Sequence, residues 1–143
     1  MSYKESFIKK AKMVYRDSVL YSEAGKNAEH LITNYFADIA LKLEEEFKAT
    51  SDLSLSVIPG KTIEFILGNM VLTIKFNGDQ IDFIFIDREA DDVETDNGEI
   101  YLILDYDDYK FYTEKRHVEL SNDFLDAVLQ KVFDNELEYR MTK

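Results

Sequence analysis

The chain has 143 residues, 45% of them apolar and 32% charged, with no cysteine. That is the length of one domain with enough apolar content for a real core, and it excludes disulfides, thiol nucleophiles and zinc–thiolate centres. The formal charge of −12 argues against direct nucleic-acid binding, which requires a cationic surface.

The opening residues, MSYKESFIKKAK, are charged and hold no apolar core of signal-peptide length. No apolar run reaches membrane-spanning length. A cytoplasmic protein without a membrane partner is the expectation. The charge is uneven: residues 1–50 sum to zero, and residues 51–143 carry all of it. Asp87 to Asp108 holds ten acidic residues against Arg88 alone. A basic partner is the electrostatic complement of such a stretch.

In chain order, residues 3–20 place Phe7, Ile8, Ala11, Val14, Tyr15 and Val19 at helical spacing. Ser22 or Asn27 can cap a second helix, with Gly25 marking the break between the two helices. Ala28, Leu31, Tyr35, Phe36, Ile39, Leu43 and Phe47 then keep one stripe over about five turns. Whether 3–48 forms two helices or one kinked helix is left open by the spacing.

Leu53, Leu55 and Val57 alternate with serines as a strand does. A three-residue loop, Pro59 to Lys61, sets Leu55 opposite Phe65 and Val57 opposite Ile63. Gly68-Asn69 and Asn77-Gly78 read as two-residue hairpin loops. The first sets Phe65 opposite Leu72. The second sets Leu72 opposite Phe83 and Thr73 opposite Asp82. Both put the same residues of the middle strand on the apolar face, an agreement that a one-residue slip would destroy. A four-stranded meander over 53–87 follows. Ile66, Val71, Ile84 and Ile86 fall on its second face and call for a cover, either a helix of the chain or a second subunit in a homodimer.

Residues 88–98 form an acidic loop, and 99–105 form an apolar strand expected to be central or covered on both faces. A shorter strand spans 109–113. Ser121 caps a closing helix with a stripe of Phe124, Leu125, Val128, Leu129, Val132 and Phe133, frayed after Leu137. The fold class is α+β in a single domain over 1–143: N-terminal helices, an antiparallel meander of five to six strands, and a C-terminal helix packed on the sheet.

The chemistry-bearing patterns are few. Residues 92–98 carry alternate carboxylates as a calcium loop does. The glycine comes one place late, however, and Ile103 stands where the bidentate glutamate belongs. Asp87 and Asp105 at strand ends suggest a magnesium pair without a phosphate cradle. His30 and His117 have no neighbouring His or Cys and no serine nucleophile. No cofactor is implied.

The remaining pattern is aromatic and acidic. Tyr101, Tyr106 and Tyr109 lie among Asp105, Asp107 and Asp108, just after Asp91, Asp92, Glu94 and Asp96. Tyrosine supplies stiff contact area with a polar tip, and carboxylates beside it steer a basic partner.

The segment LSNDFLDAVLQKVF (120–133) resembles the closing segment of short α+β proteins of Bacillus-like bacteria. The small, acidic α+β character is similar to that of toxin-immunity proteins. Neither resemblance brings site residues with it. The expectation is a non-enzymatic module that binds a basic protein through these ten residues, in the manner of an immunity protein. A small-ligand or divalent-metal-binding domain is the alternative.

Overall fold

The computed structural model describes residues 2–89, 97–114 and 117–142. Three helices come first: α1 (Tyr3–Val14), α2 (Arg16–Lys42) and α3 (Glu44–Ala49). Six strands follow: β1 (Leu53–Ile58), β2 (Thr62–Leu67), β3 (Met70–Asn77), β4 (Gln80–Asp87), β5 (Gly98–Asp105) and β6 (Lys110–Thr113). Helix α4 (Asn122–Met141) closes the chain. The strands form one antiparallel sheet in sequence order. The α+β arrangement read from the sequence is the one observed.

Two hairpins have the expected register. Leu55 pairs with Phe65 and Val57 with Ile63 across the Pro59–Lys61 loop, where Gly60 takes a φ of 73°. Phe65 pairs with Leu72 across Gly68-Asn69. The third hairpin differs. Asn77 pairs with Gln80, Leu72 with Phe85 and Lys75 with Asp82, so the loop is Gly78-Asp79. Gly78 has a φ of 69°, and neither Asn77 nor Asp79 has a positive φ. That is the pattern of a type II′ turn, which needs glycine first; an Asn77-Gly78 loop of type I′ would put Asn77 at positive φ as well. Moving the loop one place shifts the register by two, so every side chain keeps its predicted face and only its partner changes. Lys75 thereby gains an opposed carboxylate at Asp82.

One face of the sheet is the core. Ile63, Phe65, Leu72, Ile74, Ile81, Phe83, Leu102, Leu104 and Phe111 are buried there with Ala24, Ala28, Ile32 and Phe36 of α2 and Phe124, Leu125, Val128, Val132 and Phe133 of α4. The ring of Phe65 lies 4.9 Å from that of Phe133 and 6.1 Å from that of Phe36, so β2 touches both helices. The Tyr35 hydroxyl of α2 donates to Asp126 of α4 at 2.6 Å. Ser121 caps α4 as expected, its Oγ accepting from the Phe124 N–H at 3.1 Å. The helix does not fray after Leu137. It runs to Met141 because Arg140 is tied to Asp52 before β1 and to Glu136.

Gly25 does not break the first helical segment. It sits inside α2, where one glycine costs only about 1 kcal/mol against alanine and the burial of Ala24 and Ala28 on either side outweighs it. The interruptions fall at Tyr15 and Leu43, with ψ of 14° and 22°. Hydrogen bonding continues through both: the Tyr15 N–H donates to Ala11 and the Val19 N–H to Tyr15. The predicted apolar stripe of the first helix is present but faces solvent. No residue of α1 is buried; Phe7 is 58% exposed and Val14 is 72% exposed.

The second face of the sheet receives no buried helix residue, because the buried residues of α2 and α4 all belong to the core cluster. The strand over 98–105 is interior, paired with β4 on one side and β6 on the other, as its apolar run suggested; it lies one place from the edge, and Tyr101 is 39% exposed on its outer face.

Gly98 is opposite Phe85, and a β-carbon there would run into the Phe85 ring. Gly98→Ala forces that ring off its place in a close-packed core, which costs about 1–3 kcal/mol. Denaturant unfolding should show a lower midpoint with an unchanged slope.

Candidate interaction surface

The turn joining β5 to β6 is built by its own carboxylates. Asp105 accepts from the Asp107 N–H at 2.8 Å, and Asp108 accepts from the Lys110 N–H at 3.2 Å. The Tyr109 N–H closes the turn onto the Asp105 carbonyl at 2.9 Å. Tyr109 takes a φ of 60°, a conformation uncommon for a bulky residue. Its ring is held 5.2 Å from that of Tyr21 in α2, and its hydroxyl donates to Asp17 at 3.3 Å. Tyr106 approaches Tyr21 edge-on at 4.7 Å and donates to Asp79. Three tyrosines from two elements thus fasten the start of α2 to this turn.

The other phenols are likewise paired with carboxylates. Tyr112 donates to Asp108, and Tyr101 donates to Glu99 at 3.2 Å. Each such bond stabilises the neutral phenol, and ionising it beside a carboxylate is opposed. The Tyr112 hydroxyl is pushed up to about 12, chiefly by its bond to Asp108, then by desolvation and nearby carboxylates. Tyr106 and Tyr101 are raised mainly by their bonds to Asp79 and Glu99. Tyr109 is raised first by desolvation. These phenols are hydrogen-bond donors at neutral pH, and the charge of the surface belongs to the carboxylates.

The structure divides the ten predicted residues. Asp91, Asp92, Glu94 and Asp96 lie outside the described residues. Asp105, Tyr106, Asp107, Asp108 and Tyr109 come together at the turn, with Tyr106 49% exposed. Tyr101 stands apart, four residues back along β5 and about 13 Å away, on the open face opposite Asp82. Asp17 and Asp79 join the turn cluster without having been singled out. Asp79 was within reach of sequence reasoning, since alternate turns of a meander fall at one end of the sheet. Asp17 was not, because its place depends on how α2 crosses the strands.

The magnesium pair does not form. Asp87 and Asp105 end neighbouring antiparallel strands and so lie at opposite ends of the sheet. Among the described residues, no group of three or more His, Asp or Glu side chains could hold a metal ion. His30 is exposed on α2, and the His117 ring lies 5.6 Å from that of Tyr112.

Beside the tyrosine cluster is a cleft of about 420 Å³. Ser22, Gly25, Lys26 and Glu29 of α2 form one wall, Gly60, Asp79 and Tyr106 form the turn side, and Phe76, Ile81 and Leu104 lie beneath. A β-carbon built on Gly25 meets nothing within 4 Å.

Comparison of the chain with protein-family models, curated proteins and solved structures finds no match. No helix of the described residues is long and apolar enough to cross a membrane.

The raised phenols set an alkaline limit. Below pH 10 both folded and unfolded chains hold the Tyr112 proton; between about 10 and about 12 only the folded chain does, so stability falls as pH rises through that window. A spectroscopic tyrosine titration should show ionisation delayed past 10. Asp108→Asn, which keeps a cap for Lys110, should bring the Tyr112 step back towards its ordinary value.

Proposed function

We propose that this protein is a non-enzymatic interaction module that holds a basic protein partner at the β5–β6 turn, as an immunity protein holds its toxin. The observation that carries the reading is the convergence of Asp17, Asp79, Asp105, Asp107 and Asp108 around the rings of Tyr106 and Tyr109. The rings offer stiff contact area already fixed by Tyr21, so little conformational freedom is lost on binding. The carboxylates supply steering and raise the rate of encounter. Asp107 suits direct partner contact, since it is exposed and its carboxylate, unlike those of Asp105 and Asp108, accepts no backbone N–H among the described residues of the turn.

The test is capture from a lysate of the source organism with the wild-type chain and with Asp79→Asn/Asp107→Asn/Asp108→Asn. A basic protein retained by the wild type should be lost by the variant, and its retention should weaken steeply with added salt. Identical captures by both chains would sink the reading.

The cleft favours a second reading: a small polar ligand seated between Lys26, Glu29 and Asp79. Its volume lies within the range of ligand sites, roughly 300–1,000 Å³. A metabolite that binds there should raise the melting temperature of the wild type but not that of Gly25→Phe, whose ring fills the space.

A further inference from the structure

Helix α1 buries none of its residues. Tyr3, Phe7, Ile8, Val14 and Tyr15 are all exposed, as is Val19 one turn further on in α2. Round the helix axis Tyr3, Val14, Phe7, Ala11, Tyr15 and Ile8 follow one another within an arc of about 140°. Val19 continues that arc, because its N–H donates to the Tyr15 carbonyl and the helical ladder is unbroken through the bend.

The lysines are placed about this arc. Lys10 is three residues from Phe7 and four from Val14, so it borders one edge. Lys12 stands four from Ile8 and three from Tyr15, so it borders the other. Lys4 sits within the arc at the first turn, where its long stem lies along apolar surface and its charge turns outward. Glu5, Lys9 and Met13 occupy the far side. Four lysines against Glu5 give α1 a charge of +3, and the rest of the chain carries −15.

We propose that α1 docks on an anionic lipid surface, lying in its plane with the Phe7 and Val14 side down. An apolar arc edged by cations is the pattern of a helix that rests at the boundary between headgroups and acyl chains. A flat anionic surface meets both lysine-bordered edges at once, and each lysine gains from it. Tyr3 and Tyr15, at the two ends, bring amphipathic rings to headgroup depth. No described helix is long and apolar enough to cross a bilayer, and a helix in the surface plane needs no such length. The acidic body does not cancel the attraction. Its nearest clustered carboxylate, Asp17, is about 20 Å along the axis from Lys4, well beyond the roughly 8 Å over which exposed charges act at physiological salt. The basic arm is held to the lipid while the acidic turn stays away from it. The proposal uses no residue of the turn or the cleft and rests on neither reading above.

Vesicle co-sedimentation of the full chain tests this, with phosphatidylcholine alone and with about one-third phosphatidylserine. The wild type should bind the anionic vesicles only, and added salt should release it. Phe7→Glu/Val14→Glu should abolish binding. Lys10→Gln/Lys12→Gln should weaken it about fivefold for each lysine lost. All four positions are exposed, so the fold is kept. The chain has no tryptophan, so a single reporter reads which side is down: on anionic vesicles Phe7→Trp should shift to the blue and resist quenching by iodide, and Lys9→Trp should do neither. No binding, equal binding to phosphatidylcholine, binding unmoved by either double variant, or equal shifts from both reporters would each overturn the proposal. So would a dimer in sedimentation velocity that Phe7→Glu/Val14→Glu takes apart while the wild type leaves vesicles untouched, which would give the stripe to a second copy of the chain.

Discussion

The structure depends on six strands that agree about which way their apolar residues point. Alternation puts Phe65, Leu72, Phe83, Leu102 and Phe111 on one side of the sheet, and both long helices bury their stripes there. Burial of that one layer is the main gain on folding, and it is non-directional: it cares about face, not about cross-strand partner. The shifted β3–β4 hairpin shows the point. A register change of two leaves the core face unchanged and sets Lys75 opposite Asp82, whose carboxylate accepts from Asn77 and Gln80.

Placing both helices on the same side makes the molecule lopsided. A sheet with one face covered is ordinary when the other face is polar. Here the other face is polar over only part of its area, and Ile66, Val71, Ile84 and Ile86 break the pattern. The first helix breaks it again. The charges have a similarly double character. Asp105 and Asp108 are part of the acidic surface, yet each also accepts a backbone N–H that shapes the turn. Acidity at this hairpin is partly architecture, whatever it does for a partner.

Much of this was legible in the sequence, and the reasons are local. Gly68 and Gly60 fix their turns because only glycine takes those φ values cheaply, so β1–β2 and β2–β3 could be registered residue by residue. The stripe of α2 and the Ser121 cap were readable for the same reason: a 3.6-residue period and a capping hydroxyl are written within a few positions. Gly25 misled because a propensity of about 1 kcal/mol loses to burial of its neighbours. The exposure of Phe7 and Val14 could not be read, since periodicity says that a face is apolar and not what covers it. Nor could the tyrosine cluster. Tyr21 and Asp17 are some ninety residues from Tyr109, and only the crossing of α2 over the strands brings them together.

The unbroken hydrogen bonding at Tyr15 has a mechanical meaning. A helix that keeps its backbone ladder through a bend behaves as a lever, and torque applied near Phe7 arrives at Tyr21, less than about two turns past the bend. Tyr21 is where the ring edges of Tyr106 and Tyr109 grip α2, and it also forms part of the mouth of the adjoining cleft. Whatever restrains the far end of the rod therefore also sets how tightly that aromatic hinge is shut.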